Sequence, residues 1–318
     1  MSRSVGVSEA ICAALTEPVL LLAALVTLAG DAGTLLAISL GAYWLGAPMG
    51  QGWGLDRRRG AFVFACALGA FSLTAGLKAF FALPRPSIGL LAPEAFETVP
   101  AADVLRAFVA SAASASGYGF PSGHAISSTV VYGALALVSD IGSRRERWTG
   151  VGLLTGLVSL SRVVLGVHYL VDVLVGVVVG LAFLATVASL ARGVDATRAF
   201  VLAVSLGVVA VITAIGDAPR DAIALLGVSV GAMGVWLLLD GARRPGSGRE
   251  RLSTLLTGAL LAGIPGAAVY VFELHLFGEF IASVAVGTAA IGTPHITNRG
   301  AQVVRSAGIG ETDQNVSR

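Results

Sequence analysis

The sequence predicts an all-α fold, a polytopic bundle of membrane-spanning helices, and three observations predict it. Hydrophobic residues make up 55% of the 318 positions and charged residues only 13%, about half the ~25% of an ordinary globular chain. Mean hydropathy is strongly positive. The apolar residues also fall into about ten separate segments, each near the ~20 residues that a bilayer core requires. A backbone in lipid must satisfy its own polar groups, so these segments are helices rather than open strands.

In chain order the segments are 11–29, 33–49, 61–82, 122–139, 150–165, 169–190, 199–215, 221–239, 253–272 and 277–293. The first is interrupted by Glu17-Pro18 and carries no small-residue cleavage site, so it reads as a retained span and not as a signal peptide. The third ends in Lys78-Ala-Phe-Phe-Ala-Leu-Pro-Arg-Pro, and Pro84 and Pro86 stop the helix there. The fourth starts at Pro121-Ser-Gly-His, the fifth ends at Arg162 and the sixth begins at His168. The last four segments carry no further motif.

The charge pattern sets an orientation. Sixteen of the 21 basic residues lie in alternate loops (57–59, 144–147, 192–198 and 243–251) or near the termini (Arg3, Arg299, Arg305 and Arg318). Basic residues concentrate in cytoplasmic loops, so these loops and both termini are expected to be cytoplasmic, in a cytoplasmic membrane. Lys78, Arg85, Arg106, Arg162 and Arg220 are left for the outer face, where the longest loop, 84–121, also lies. The net charge of +2 says nothing about nucleic acid, and with no basic tail or aromatic-basic interleaving no nucleic-acid partner is expected. Cys12 and Cys66 sit inside apolar runs and read as buried thiols rather than a disulfide.

Three segments carry chemistry. Lys78 lies in the last turns of an apolar helix, where a charge is costly and points to function, and Arg85 stands between two prolines. Alone, the pair reads equally as a snorkelling lysine and a boundary arginine. Ser122 can cap the following helix. The other first-turn N–H groups and the helix dipole then form an anion site, Gly123 admits close approach and His124 stands at the rim. Alone, this is a capped helix with an incidental histidine. Arg162 ends one helix, and a helical 168–172 places His168 and Asp172 on one face, where the carboxylate orients the imidazole as a base or nucleophile. Alone, this is an interfacial ion pair. All three segments end on the same membrane face, which allows Lys78, Arg85, Ser122, His124, Arg162, His168 and Asp172 to meet in one outer pocket.

Lys78-x6-Arg85-Pro86, Pro121-Ser122-Gly123-His124 and Ser161-Arg162-x5-His168-x3-Asp172 together resemble the three-part signature of the type two phosphatidic acid phosphatase superfamily. That superfamily includes membrane lipid phosphate phosphatases, polyprenyl diphosphate phosphatases and soluble vanadium haloperoxidases. The resemblance spans roughly residues 10–190. It implies a six-helix phosphatase core over 1–190; the apolar segments add transmembrane helices of unknown role over 191–297, and the polar residues 298–318 read as a cytoplasmic tail. The resemblance further implies that His168 is the nucleophile forming a phosphohistidine, that Asp172 orients it, and that His124 is the general acid. Lys78, Arg85, Ser122, Gly123 and Arg162 would bind the phosphoryl oxygens. Pre-placed donors of this kind supply the largest catalytic contribution in phosphoryl transfer, and arginine's fork suits the task.

No metal or other cofactor is expected on this reading. His275 and Glu279, at i and i+4, could be taken for a metal pair but read as interfacial. The expected partner is a lipid phosphate substrate, a phosphatidyl-type monoester or a polyprenyl diphosphate, within membrane lipid. A phosphotransferase passing the same phosphoryl group to an alcohol or sugar remains open. A transporter is disfavoured, because transporter polar sites sit near the bilayer midplane and these residues sit at span ends. A haloperoxidase is disfavoured because those relatives are soluble.

Overall fold

The computed structural model describes residues 16–46, 55–86, 102–113, 116–190, 193–215, 220–239, 248–271 and 274–306. Among these residues there is no strand. Helices α1 (Glu17–Thr27) and α2 (Ala32–Trp44) flank a 3-10 turn at Leu28–Gly30. They are followed by α3 (Arg57–Phe81), α4 (Ala102–Ala113), α5 (Gly123–Val138), α6 (Arg144–Val164) and α7 (Leu170–Leu190). The chain continues through α8 (Ala196–Thr213), α9 (Arg220–Leu238), α10 (Gly248–Val271) and α11 (Leu276–Ser306). Every expected apolar segment is helical where it is described. Five helices (α3, α7, α8, α9 and α11) are long and apolar enough to cross a membrane, and the bent pair α1–α2 makes a sixth if it counts as one span. The chain is thus an all-α polytopic membrane bundle.

Three features differ from the sequence expectation. The first two segments, expected as two crossings, form a helix pair bent by 44° that together is long and apolar enough for one span. Asp31 adopts an extended backbone at the break (φ −67°, ψ 144°). Gly30 makes the break possible, since a Cβ there would collide with a Val158 methyl and lie 3.0 Å from the His124 ring. α1 runs along the final turns of α6, with Leu20, Ala23 and Ala24 packed on Leu165, Val167 and Val109. The start of α1 therefore lies at the same end as the 165–169 turn. The expectation of a cytoplasmic N-terminus rested on two crossings before residue 49; residues 1–15 themselves lie outside the described residues. The second difference is α4, a short helix within the long 84–121 loop. The third is α11, which continues to Ser306 where a polar tail was expected from 298.

From the bend, α2 runs to the opposite end of the bundle. There Trp44 Nε1 donates to the Ala290 carbonyl at 2.7 Å and the Tyr43 hydroxyl to the Ile291 carbonyl at 2.8 Å. Pro294 lies inside α11 and has no N–H, so the carbonyl four residues back is released from the helix ladder. That carbonyl belongs to Ala290, and Trp44 takes it up. The basic loops share this end. Arg59 bonds the Val138 carbonyl at 2.7 Å and pairs with Asp140 at 2.6 Å. Arg147 donates to the carbonyls of Ala136 and Gly142, Ser143 and Glu146 form a capping box at the start of α6, and Trp236 Nε1 donates to Thr197.

α3 runs through the centre and is largely buried along its length. Cys66 lies inside it as a free, buried thiol, as expected. The C-terminal helices attach closely: a Cβ at Gly231 would fall on the Val284 carbonyl, and one at Gly287 on the Val228 carbonyl. Small residues let α9 and α11 approach to backbone contact, the usual means of helix association in lipid.

Candidate active site

The end opposite the basic loops gathers all three sequence segments. α3 stops at Ala82, which takes a left-handed conformation (φ 48°) and returns its N–H to the Lys78 carbonyl. Leu83 and Gly119 then join the flanking segments of the long loop through a 2.8 Å hydrogen bond. Arg85 ties three segments together. It donates to the carbonyls of Gly117 (3.2 Å), Ser116 (3.1 Å) and Val167 (3.1 Å), and its Nη1 lies 3.1 Å from His168 Nε2. The guanidinium thus stands directly beside one imidazole nitrogen.

The other imidazole nitrogen, Nδ1, lies 3.5 Å from Asp172 Oδ2. This is ion-pair distance rather than a hydrogen bond, and Nδ1 has no hydrogen-bond partner among the described residues. His168 and Asp172 are both fully buried. The helix begins at Leu170, so His168 precedes it instead of occupying its first turn as the i, i+4 spacing suggested. The pair still meets because Tyr169 N–H donates to Asp172 Oδ2 at 3.0 Å, which holds the carboxylate under the turn. Gly166, with φ 64°, gives the reversal between Arg162 and His168 that a residue with a Cβ would resist.

Ser122 occupies the N-cap position of α5 but makes no side-chain cap bond, contrary to the expectation. Its backbone N–H instead reaches the Asp172 carbonyl at 3.0 Å, which stitches α5 to α7, and its buried hydroxyl is unpartnered. A Cβ at Gly123 would lie 3.8 Å from Lys78 Nζ, so the ammonium stands over the first turn of α5. Arg162 is buried. Its Nη1 donates to the Thr27 hydroxyl at 2.8 Å and the Ala112 carbonyl at 3.0 Å, while its Nε is unpartnered. Buried polar groups are normally satisfied. Ser122 Oγ, Arg162 Nε and His168 Nδ1 are three exceptions within one site, and the first two are donors suited to an oxyanion.

The electrostatics agree with the geometry. Burial, followed by the Arg85, Lys78 and Arg162 cations, holds the His168 imidazole well below the usual histidine range. It is therefore neutral at neutral pH, with the Nε2 lone pair turned toward the Arg85 guanidinium. The structure brings together Lys78, Arg85, Ser122, Gly123, His124, Arg162, His168 and Asp172, the eight positions read from the sequence. His275 and Glu279 lie apart from them: His275 is exposed, and Glu279 pairs with Arg220 at 3.5 Å. The side chain of Arg106 lies outside the described residues.

Sequence reasoning missed two contributors. His124 Nε2 lies 2.8 Å from Asp31 Oδ1, and Thr27 holds Arg162. The available signal was an acidic residue directly after Gly30, between two apolar runs, which read as an ordinary loop.

Cations grouped around a helix N-terminus, with a buried histidine backed by a carboxylate, are an arrangement suited to phosphoryl transfer. Residues 60–194 match the family model described as the PAP2 superfamily, the superfamily that the three motifs resemble. Its members include phosphatases, which supports a phosphoric ester hydrolase. The matched segment contains all eight site positions and excludes Asp31 and most of the C-terminal helices. No curated protein and no solved structure matches the chain.

Proposed function

We propose that the protein is an integral membrane phosphatase that hydrolyses a lipid phosphate or polyprenyl diphosphate through a phosphohistidine intermediate, without a metal. The observation that carries this reading is His168. It is buried and kept neutral, it faces a carboxylate through Nδ1, and Nε2 stands beside the Arg85 guanidinium. In the first half-reaction Nε2 attacks phosphorus, an N–P bond forms and the P–O bond to the leaving group breaks. His124 gives a proton to the departing oxygen. Water then attacks phosphorus, the N–P bond breaks, and His124 takes up the water's proton. Asp172 stabilises the charge that develops on the imidazole. Lys78, Arg85, Arg162, Ser122 Oγ and the Gly123 N–H hold the phosphoryl oxygens as charge builds on them.

The position of the site supports a lipid substrate. The eight residues lie at or near the ends of apolar helices, a position that suits an amphiphile presenting its phosphate at headgroup depth without leaving the bilayer. The positive-inside pattern supports an outward-facing position for this end in a cytoplasmic membrane.

The test is phosphate release by purified protein in detergent with EDTA, across phosphatidyl monoesters and polyprenyl diphosphates. We expect turnover of at least one substrate, and His168→Ala should reduce it to background while the protein stays folded. Rapid acid-free quenching with radiolabelled substrate should trap acid-labile, base-stable label on the wild type and none on His168→Ala. A His168→Ala protein retaining a substantial rate would remove the covalent mechanism. Loss of activity in EDTA would remove metal independence.

A further inference from the structure

We propose that Asp31, at the break between α1 and α2, is the positioning residue of the general acid His124, so that the bent first span completes the catalytic machinery of the phosphatase core. The inference rests on the phosphatase reading above and adds to it a residue outside both the three motifs and the matched 60–194 segment.

The geometry is specific. Asp31 Oδ1 lies 2.8 Å from His124 Nε2, a charge-assisted hydrogen-bond distance. An ionised carboxylate only accepts, so the bond places a proton on Nε2. Nδ1 is then the nitrogen that exchanges the catalytic proton. In the first half-reaction the Nδ1 proton passes to the leaving oxygen as its bond to phosphorus breaks. In the second, the bare Nδ1 takes a proton from the attacking water. Nε2 keeps its proton and its bond to Asp31 throughout.

The fold is arranged to hold this pair. Asp31 is the N-cap of α2 but makes no side-chain cap bond, so its carboxylate is not spent on its own helix. Gly30 packs against the His124 ring and Val158. The Tyr132 hydroxyl, two turns further along α5, donates to the Ala29 carbonyl at 2.6 Å. The 28–31 segment is thus held against α5 through Ala29 and Gly30, immediately before Asp31. The surrounding charge explains why a carboxylate is needed. Arg162 from α6 and Lys78 from α3 face His124, as does His168 from the turn before α7. Burial, and then Arg162 and Lys78, oppose an imidazolium here, and the hydrogen bond and charge of the Asp31 carboxylate act against them.

The experiment compares wild type, Asp31→Asn, Asp31→Glu, His124→Ala and the Asp31→Asn/His124→Ala double variant, each checked for monodispersity and melting temperature in detergent. Two substrates are used: a lipid alkyl phosphate and p-nitrophenyl phosphate, whose phenolate departs with little proton donation. General acid catalysis is worth ~10²–10⁴ in rate. Asp31→Asn should lose about tenfold to hundredfold in kcat/KM on the alkyl phosphate, a part of that range, and less than about threefold on p-nitrophenyl phosphate. The alkaline limb of its pH profile should move to lower pH, because the imidazolium has lost its stabilising charge. Asp31→Glu should recover part of the loss. In the His124→Ala background, Asp31→Asn should change little, the signature of two residues acting as one unit.

Equal losses on both substrates, an unmoved alkaline limb, or additivity in the double variant would each refute the proposal and leave the phosphohistidine mechanism standing. Wild-type protein without turnover, or a fully active His168→Ala, would instead refute the underlying phosphatase reading.

Discussion

His168 has a guanidinium 3.1 Å from one ring nitrogen and a carboxylate 3.5 Å from the other, and burial and three neighbouring cations set its titration. A group held below its usual range keeps its neutral form as pH falls. The acidic limb of kcat/KM reports the free enzyme, so for hydrolysis it should lie below ~6.5, the ordinary histidine value. Arg85→Met removes the nearest of these cations. It should lower the rate and move that limb upward, toward 6.5. A wild-type limb at or above 6.5 would mean that the titrating base is some other group. Asp172→Asn tests the opposite face of the ring. Replacing the orienting carboxylate of an unrelated catalytic triad costs ~10⁴ in rate, and a loss of similar order is expected here, against a melting temperature close to wild type. The eight core positions were legible in the sequence because their signals are local: Pro84 and Pro86 around Arg85, Pro-Ser-Gly before His124, and a four-residue step from His168 to Asp172. Asp31 was not legible, because its partner is 93 positions away and no local spacing encodes the contact. The free hydroxyl of Ser122 was also hidden, since its sequence neighbourhood is that of an ordinary cap.

Hydropathy reports how long an apolar helix is and not where it points. This is why segments 11–29 and 33–49 read as two spans while the fold builds a helix pair bent by 44° that is long enough for one. The direction is set by tertiary contacts, with Leu20 and Ala24 on Leu165 at one end and Trp44 on the carbonyl freed by Pro294 at the other. α4 was hidden for a related reason: it lies within a loop and is too short to register as a span. The attachment of the C-terminal helices makes a separate prediction at this scale. Gly231→Ala forces α9 and α11 apart, because the new methyl falls on the Val284 carbonyl. Overpacking of this kind costs about 1–3 kcal/mol, so the variant should melt measurably lower in detergent. Gly234 lies on the same helix with nothing within 4 Å of its Cβ position. Gly234→Ala should leave the melting temperature unchanged or slightly raised, since alanine is the better helix former. Equal melting of the two variants would mean that the α9–α11 contact does not contribute to stability.

At the scale of the whole molecule, the bundle has two chemically different ends, and the sidedness of the enzyme follows from them. One end holds Arg59 with Asp140, Arg147 with the 136–142 turn, and Thr197 with Trp236. The other holds the eight site residues, the start of α1 and the Asp31 break. Basic loops stay cytoplasmic, so the site end should face outward, and one bent crossing should bring Thr16 to the outer face with it. Single cysteines at Thr16, Ser116 and Ile141 test both statements in a background where Cys12 and Cys66 are replaced by alanine; all three side chains are exposed. An impermeant thiol reagent added to intact cells should label positions 16 and 116 and spare position 141, which should react only after the membrane is opened. Labelling of 141 in place of 116 would turn the active site toward the cytoplasm and remove the outer-leaflet substrate, while leaving the chemistry of His168 untouched. Labelling of 116 without 16 would restore two crossings before residue 49. Asp31 would then lie in a turn between two full spans, and its contact with His124 would have to arise from a different arrangement of the first helix.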